Sequence, residues 1–167
     1  NPDCKPENLY QFGLLGSMYA KCVLKVKNPK VGLLNLGTEA GKGNLLTTAA
    51  YQLMSGASDF NFIGNVEPRT LFNSNCDVFV CDGFVGNMML KLLETFWYTT
   101  TKRGHTDEYL ARFNYELYGG TPILGVSKPA IVGHGISSAF AIQNMILQSR
   151  DIVNANLAEN LKEMLTK

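Results

Sequence analysis

Short apolar runs recur along this chain, and each is followed by a glycine-containing polar turn and then by helical spacing. VGLLNL (31–36) leads into GTEAGKGN (37–44) and LLTTAAYQLM (45–54). FNFIGN (60–65) leads to a turn and a short helical piece over 67–72. DVFVC (77–81) leads to DGFVGN, and a helix is expected from Asn87 to about Trp97, with Met88, Leu92, Leu93 and Phe96 facing inward. AIVGHG (130–135) precedes a helix from about Ser137 to Arg150. Apolar runs bounded by turn residues read as buried strands. Strands that alternate with helices build parallel βα units, so the expectation is an α/β sheet covered by helices. In such sheets the ligand crevice lies outside the carboxyl ends of the strands. GTEAGKGN, GNVEPR, DGFVGN and GHGISS are therefore expected to share one rim.

The remaining segments fit around that frame. Pro6 and Glu7 suit the first turn of a helix. Leu9, Phe12, Gly13, Gly16, Ala20 and Val23 then recur at helical spacing, and Asn28-Pro29 stops the pattern. The small residues on that face let another backbone approach closely. TTTKRGHTDE (99–108) has no apolar period and reads as a linker or exposed tip. Residues 109–117 read as a short helix, 118–125 as a turn-rich loop and 154–165 as a final helix.

With 167 residues the chain is long enough for one α/β domain, 1–167, with its own core. Its 46% apolar and 17% charged residues are those of a soluble globule. A formal charge of +1 gives no global field for nucleic acid or membrane. Cys4, Cys22, Cys76 and Cys81 form no CxxC pair and have no His at zinc spacing, which points to free thiols in a reducing cytosol. No apolar run reaches the ~18 residues of a membrane span. The opening Asn1-Pro2-Asp3-Cys4 lacks methionine and runs at once into a helical pattern, so a longer parent chain is expected.

The turns carry the candidate chemistry. GTEAGKGN offers backbone N–H groups, a helix N-terminus and Lys42, the parts of an anion site. A plain βα loop explains the same residues. It is not a P-loop: Gly37 and Gly41 are separated by three residues, and Gly43 stands where the hydroxyl belongs. In DGFVGN, Gly83 and Gly86 remove side chains where a substrate can approach, Asp82 is a base or a turn former, and Asn87 caps a helix or aims its amide at a substrate oxygen. His134, between two glycines, is a general acid or base or simply a hydrogen-bonding residue. Ser137 or Ser138 suits a cap for the next helix, and no Gly-x-Ser-x-Gly elbow is present. His105 falls in the polar tip.

Several of these blocks together resemble a known family. VGLLNLGTEAGKGN, FNFIGNVEPRTLF, CDVFVCDGFVGNMMLKLLE and YGGTPILGV, in that order, are similar to successive blocks of the bacterial phosphate acyltransferase of phospholipid synthesis, acyl-acyl-carrier-protein:phosphate acyltransferase. PDCKPENLYQFGLLGSMYA resembles the helix before them, so the likeness runs from Pro2 to about Ser149. The resemblance implies a three-layer αβα fold with a mostly parallel sheet, like isocitrate and isopropylmalate dehydrogenases and phosphotransacetylases. It implies a homodimer in the cytoplasm, peripheral at the inner membrane face. The implied reaction moves a fatty acyl group from acyl carrier protein to inorganic phosphate, and the resulting acyl phosphate serves phospholipid synthesis.

Three departures accompany the resemblance. The family's chain is roughly twice as long, and this sequence corresponds to its C-terminal half, without the N-terminal glycine-rich strands. The segment between the DGFVGN helix and YGG is short, with residues trimmed or missing between about Thr100 and Thr106. Where the family commonly has His-Gly-Ser-Ser-Asn, this chain has His134-Gly135-Ile136-Ser137-Ser138, which keeps the His and one Ser but not the Asn.

The implied reaction needs no metal or redox cofactor. It needs donors for a thioester oxyanion and a phosphate held in line. Lys42, Asn87 and His134 are the expected catalytic residues. Gly37, Thr38, Gly43, Asn44, Asn65, Asp82, Gly83, Gly86 and Ser137 are the expected substrate contacts. Cys81 is a minor nucleophile candidate. Acidic carrier protein calls for a basic patch, either Lys21, Lys25, Lys27 and Lys30 or Arg69, Lys102 and Arg103, though each also reads as a solvated face. TFWYTTTKRG joins aromatics to cations as a membrane-interface segment does. The competing readings are a short-chain phosphotransacylase using acyl-CoA and a piece that only dimerises or binds carrier protein.

Overall fold

The computed structural model describes residues 1–72 and 75–165. The chain divides into two compact units, Asn1–Val85 and Gly86–Thr166.

The first unit contains α1 (Pro6–Cys22), β1 (Lys30–Leu34), α2 (Leu45–Ser55), β2 (Asn61–Val66), a 3-10 turn at Pro68–Thr70, and β3 (Val78–Val80). The strands form a parallel sheet in the order β2-β1-β3, flanked by helices. β1 is central, which is why its sequence is nearly all apolar: Val31 and Leu33 are wholly buried. α1 packs against α2, β1 and β3. Its small face serves that packing, since a Cβ on Gly13 would lie 3.0 Å from Phe60 and one on Gly16 would lie 2.6 Å from Val78. Tyr10 adds an edge-to-face contact with Phe60, with centroids 5.2 Å apart.

β2 is not regular. Val31 pairs with Phe62, but Leu33 pairs with Asn65, so β2 carries one extra residue over that interval. Gly64, at φ +95°, lies within the irregularity, a conformation that L side chains rarely adopt. Side chains alternate along a strand, so Val31, Leu33 and Asn35 share a face of β1. The bulge brings Asn65 onto that same face, whereas a regular strand would turn it to the other.

The second unit holds most of α3 (Gly83–Lys102), followed by α4 (Glu108–Ala111), a 3-10 turn at Tyr115–Leu117, β4 (Thr121–Pro122), β5 (Ile131–Val132), α5 (Ala139–Asn154) and α6 (Leu157–Leu165). Three expectations are corrected here. First, α3 begins at Gly83 and runs through Lys102, into the segment expected to be a linker. Asp82 Oδ1 accepts from Val85 N at 2.8 Å and caps it, so Asn87 is not the cap. Within α3, Thr95 and Thr100 turn their hydroxyls back onto Lys91 O and Phe96 O. Second, α3 buries no residue: Met88, Leu92 and Phe96, expected inward, are exposed, and Leu93 is half-buried. Their periodicity marks an apolar row whose coverage within the unit is partial, as where Phe96 meets Phe113 edge-on at 5.9 Å. Third, the 130–135 strand does not join the parallel sheet. β5 pairs antiparallel with β4, out of the loop predicted over 118–125.

α5 is capped by Ser138, whose Oγ accepts from Ala141 N at 3.2 Å and donates to Glu116. Asn144 Nδ2 donates to Glu116 O at 2.8 Å, tying α5 to the Tyr115–Leu117 turn. Gly119 passes so close to α5 that a Cβ there would lie 2.5 Å from Met145 N. Leu157 and Leu161, one turn apart, are the buried residues of α6.

Candidate functional site

In the first unit the loop after β1 is built on two buried amides. Asn35 Nδ2 donates to Lys42 O at 2.9 Å and to Asn65 Oδ1 at 3.1 Å, while Asn35 Oδ1 accepts from Leu36 N at 2.9 Å. Asn65 Nδ2 donates to Glu39 O at 2.8 Å. Asn65 thus shapes the loop from below, with both ends of its amide engaged. Gly37 is buried, and Thr38, Lys42, Gly43 and Asn44 are exposed. The Lys42 stem lies over Gly37, where an added Cβ would come within 3.0 Å of it and 2.8 Å of the Glu39 carboxylate. At Gly43 a Cβ would collide with Thr47 Oγ1 and Asn35 Oδ1. Asn44 caps α2: its side chain accepts from Thr47 N at 2.9 Å, and Thr47 Oγ1 accepts from Asn44 N at 3.0 Å. This reciprocal capping makes the loop-to-helix junction stiff.

Asp82 and Gly83 belong to the same unit. Gly83 N donates to Asn1 O at 2.7 Å, and a Cβ on Gly83 would press on the Asn1 backbone. Cys81 is half-buried. Burial, then the neighbouring Asp82 and Cys4, push its thiol up to about 11, so at neutral pH it is a protonated, weak nucleophile.

The second unit brings Asn87 and His134 to one cavity of about 460 Å³. Lys91, Glu94, Arg112 and Tyr115 line it too, with Leu90, Leu93, Phe113 and Val132 as apolar wall and Gly119, Gly120 and Gly133 as bare backbone. Lys91 Nζ lies 3.2 Å from His134 Nε2 and 2.9 Å from Glu94 Oε2. The His134 ring leans on Tyr115 with centroids 5.4 Å apart, and Ile136 N makes a long 3.4 Å contact with Nδ1. Ser137 Oγ donates to His134 O at 2.7 Å, which fixes the turn that carries the ring. Gly86 is half-buried in the first turns of α3. His105 is exposed.

Sequence reasoning named Asn87 and His134 but missed Lys91, Glu94, Arg112 and Tyr115. Lys91 had a signal: it stands four residues after Asn87 on α3, hence on the same helix face. Arg112 and Tyr115 had none, because they reach the cavity through turns with no periodicity. Of the basic groups, Arg69 pairs with Glu67 at 2.6 Å, Lys102 sits 4.4 Å from the Tyr98 ring centre, and Lys25 donates to Cys22 O. Among the described residues no group of His, Cys, Asp and Glu is arranged to hold a metal ion, and no helix is long and apolar enough to cross a membrane.

Comparison with known proteins decides the lineage. The family described as Fatty acid synthesis protein matches residues 1–160. The chain belongs to the fatty acid synthesis protein family. Relatives in curated collections carry the name phosphate acyltransferase. The one from Halothermothrix orenii is 41% identical over 187 residues, covering 100% of this chain and 56% of the relative. That from Acidobacterium capsulatum is 44% identical over 181 residues, 97% of this chain and 53% of the relative. That from Brevibacillus brevis is 41% identical over 186 residues, 100% and 55%. The chain spans about half the length of the curated relatives it matches. All three alignments run longer than the 167 residues of this family member, so those relatives carry residues inside the matched span that it lacks.

Proposed function

We propose that this chain is part of a phosphate acyltransferase that moves a fatty acyl group from acyl carrier protein to inorganic phosphate, forming an acyl phosphate for phospholipid synthesis. The observation that carries the reading is the second unit's cavity. Amide, ammonium and imidazole groups stand there beside an apolar wall and bare glycine backbone. That mixture suits a phosphate and a fatty thioester together. We assign the chemistry to Lys42 on the β1 loop and to Asn87 and His134 in the cavity. Substrate contacts are assigned to Gly37, Thr38, Gly43, Asn44, Asn65, Asp82, Gly83, Gly86 and Ser137.

The balance of the reaction defines what those groups must do. A phosphate oxygen attacks the thioester carbonyl, a C–O bond forms and the C–S bond breaks. The proton of hydrogen phosphate ends on the departing thiolate, so no oxidant, reductant or metal is consumed. Donors at the carbonyl oxygen stabilise the tetrahedral oxyanion. Holding phosphate and thioester in line supplies the rest.

The same reading assigns the dehydrogenase-like αβα fold, a homodimer, and a cytoplasmic location with peripheral membrane contact. The exposed apolar row of α3 supports a protein partner. Trp97, Tyr98, Lys102 and Arg103 at its end support an interfacial contact.

The test supplies acyl carrier protein thioester and labelled phosphate to the 167-residue chain and to any longer form that carries it. Acyl phosphate should form only when both substrates are present. Consumption of the thioester without phosphate overturns the assignment, and activity with coenzyme A thioester alone favours a short-chain phosphotransacylase. Lys42→Ala and Asn87→Ala should each lower turnover with the fold intact. Wild-type rates in both remove those residues from the chemistry.

A further inference from the structure

We propose that the Lys91 ammonium binds a phosphate oxyanion in the second unit's cavity, and that Glu94 and His134 are the positioning residues that hold it there. The inference deepens the functional reading and rests on it for the identity of the anion.

A lysine side chain is a point charge on a flexible stem, and fixing it costs rotamer entropy. Here that cost is met before any ligand arrives. Nζ is held from its own helix by Glu94 Oε2 at 2.9 Å and from a turn 43 residues away by His134 Nε2 at 3.2 Å. An ammonium has three donors, and these two contacts leave a third for a ligand. The Lys91 side chain is 50% exposed, so solvent and solute reach it. Asn87 stands one turn earlier on α3 and lines the same cavity, as does Arg112. Glu94 is the one carboxylate among the lining residues, and Lys91 already pairs with it. The cavity therefore favours an anion with several acceptor oxygens.

His134 takes a definite part in this arrangement. Lys91 Nζ has only donors, so in the 3.2 Å contact Nε2 is the acceptor, and Nδ1, which faces Ile136 N at a long 3.4 Å, is then the ring nitrogen that carries the proton. Its own position is set by Tyr115 against its face and by Ser137 on its carbonyl. The ring thus helps to place the ammonium.

The experiment titrates inorganic phosphate into the full chain by calorimetry, and measures KM for phosphate and for thioester wherever turnover is seen. Lys91→Met should weaken phosphate binding about tenfold to a hundredfold, the loss of one charge-assisted hydrogen bond. It should raise KM for phosphate more than KM for thioester, and Lys91→Arg should recover part of the affinity. In phosphate affinity, read apart from turnover, His134→Gln, whose amide oxygen also accepts, should stay within about threefold of wild type, while His134→Leu should lose about tenfold. Wild-type phosphate affinity in Lys91→Met overturns the proposal, as does a wild-type chain that binds no phosphate. Equal affinities in His134→Leu and wild type overturn the positioning role. A rise in KM for thioester alone assigns Lys91 to a phosphate group on the acyl carrier and overturns the inorganic phosphate site. If phosphate binds through Lys91 but no acyl phosphate forms, the functional reading fails and this site stands.

Discussion

The side-chain amides of Asn35 and Asn65 meet 3.1 Å apart beneath the loop that follows β1. Between them they hold the carbonyls of Lys42 and Glu39 and the amide of Leu36. The loop's shape therefore depends on two buried residues that no solvent-exposed partner can replace. Asn65→Asp removes the donor to Glu39 O and sets a carboxylate against a carbonyl. It should destabilise the chain by about 1–3 kcal/mol. The urea midpoint should fall with an unchanged slope, and amide exchange over 37–43 should quicken. An unmoved midpoint would show that the loop holds itself.

Two glycines separate backbone strain alone from strain joined to collision. A Cβ on Gly64 would meet only ordinary contacts with Tyr51, so Gly64→Ala carries a penalty from its positive φ alone, about 1–2 kcal/mol. Gly119, at φ +82°, carries the same strain, and Gly119→Ala also drives a methyl onto the backbone of α5, so it should cost about 3 kcal/mol or more. Thermal unfolding of the two variants gives the order. A Gly64 variant less stable than the Gly119 variant would contradict it.

Ser138 joins a helix cap to a carboxylate. Ser138→Ala should cost about 1 kcal/mol through the lost cap of α5. Ser138→Asp restores a capping acceptor but faces the Glu116 carboxylate, so it should regain less stability than a capping aspartate normally gives. Denaturant melts of both variants check this, and full recovery by Asp would show that Glu116 exerts no charge there.

The Cys81 thiol should alkylate slowly at neutral pH and faster as pH climbs toward about 11. The folded chain holds this proton more tightly than an unfolded one, whose thiol titrates near 9.0. Its contribution to stability is therefore complete below about pH 9 and is lost as pH rises through about 11. Labelling followed by mass analysis of the modified peptide reads the rate directly. Rapid modification at pH 7 would mean an ionised thiol and would return Cys81 to the list of nucleophiles.

The parallel sheet was legible because each of its strands announces itself locally. VGLLNL and DVFVC are apolar runs that end in turns, and helical periods lie between the runs. The α3 boundaries were misread because Thr99 to Thr101 have no apolar period and threonine has a low helix propensity, so nothing local marks the helix as continuing. The placement of β5 was misread because its partner β4 lies in a loop of glycines and a proline. Pairing is a nonlocal choice that periodicity does not encode. The same limit applies to the cavity. Asn87 and His134 were visible as residue types in suggestive turns, while the contact between Lys91 and His134 exists only once two distant segments are folded together.

The extra residue in β2 gives that strand two independent histories. Asn61 to Ile63 answer to α2, where Phe62 meets the Tyr51 ring edge-on at 5.5 Å. Asn65 and Val66 answer to the β1 loop and to Asn35, whose N–H donates to Val66 O at 2.8 Å. Regular pairing of the same residues without the bulge would instead turn the Asn65 amide away from the loop it supports. The irregular pairing at Gly64, whose φ of +95° few side chains tolerate, is thus what aims Asn65 at the loop.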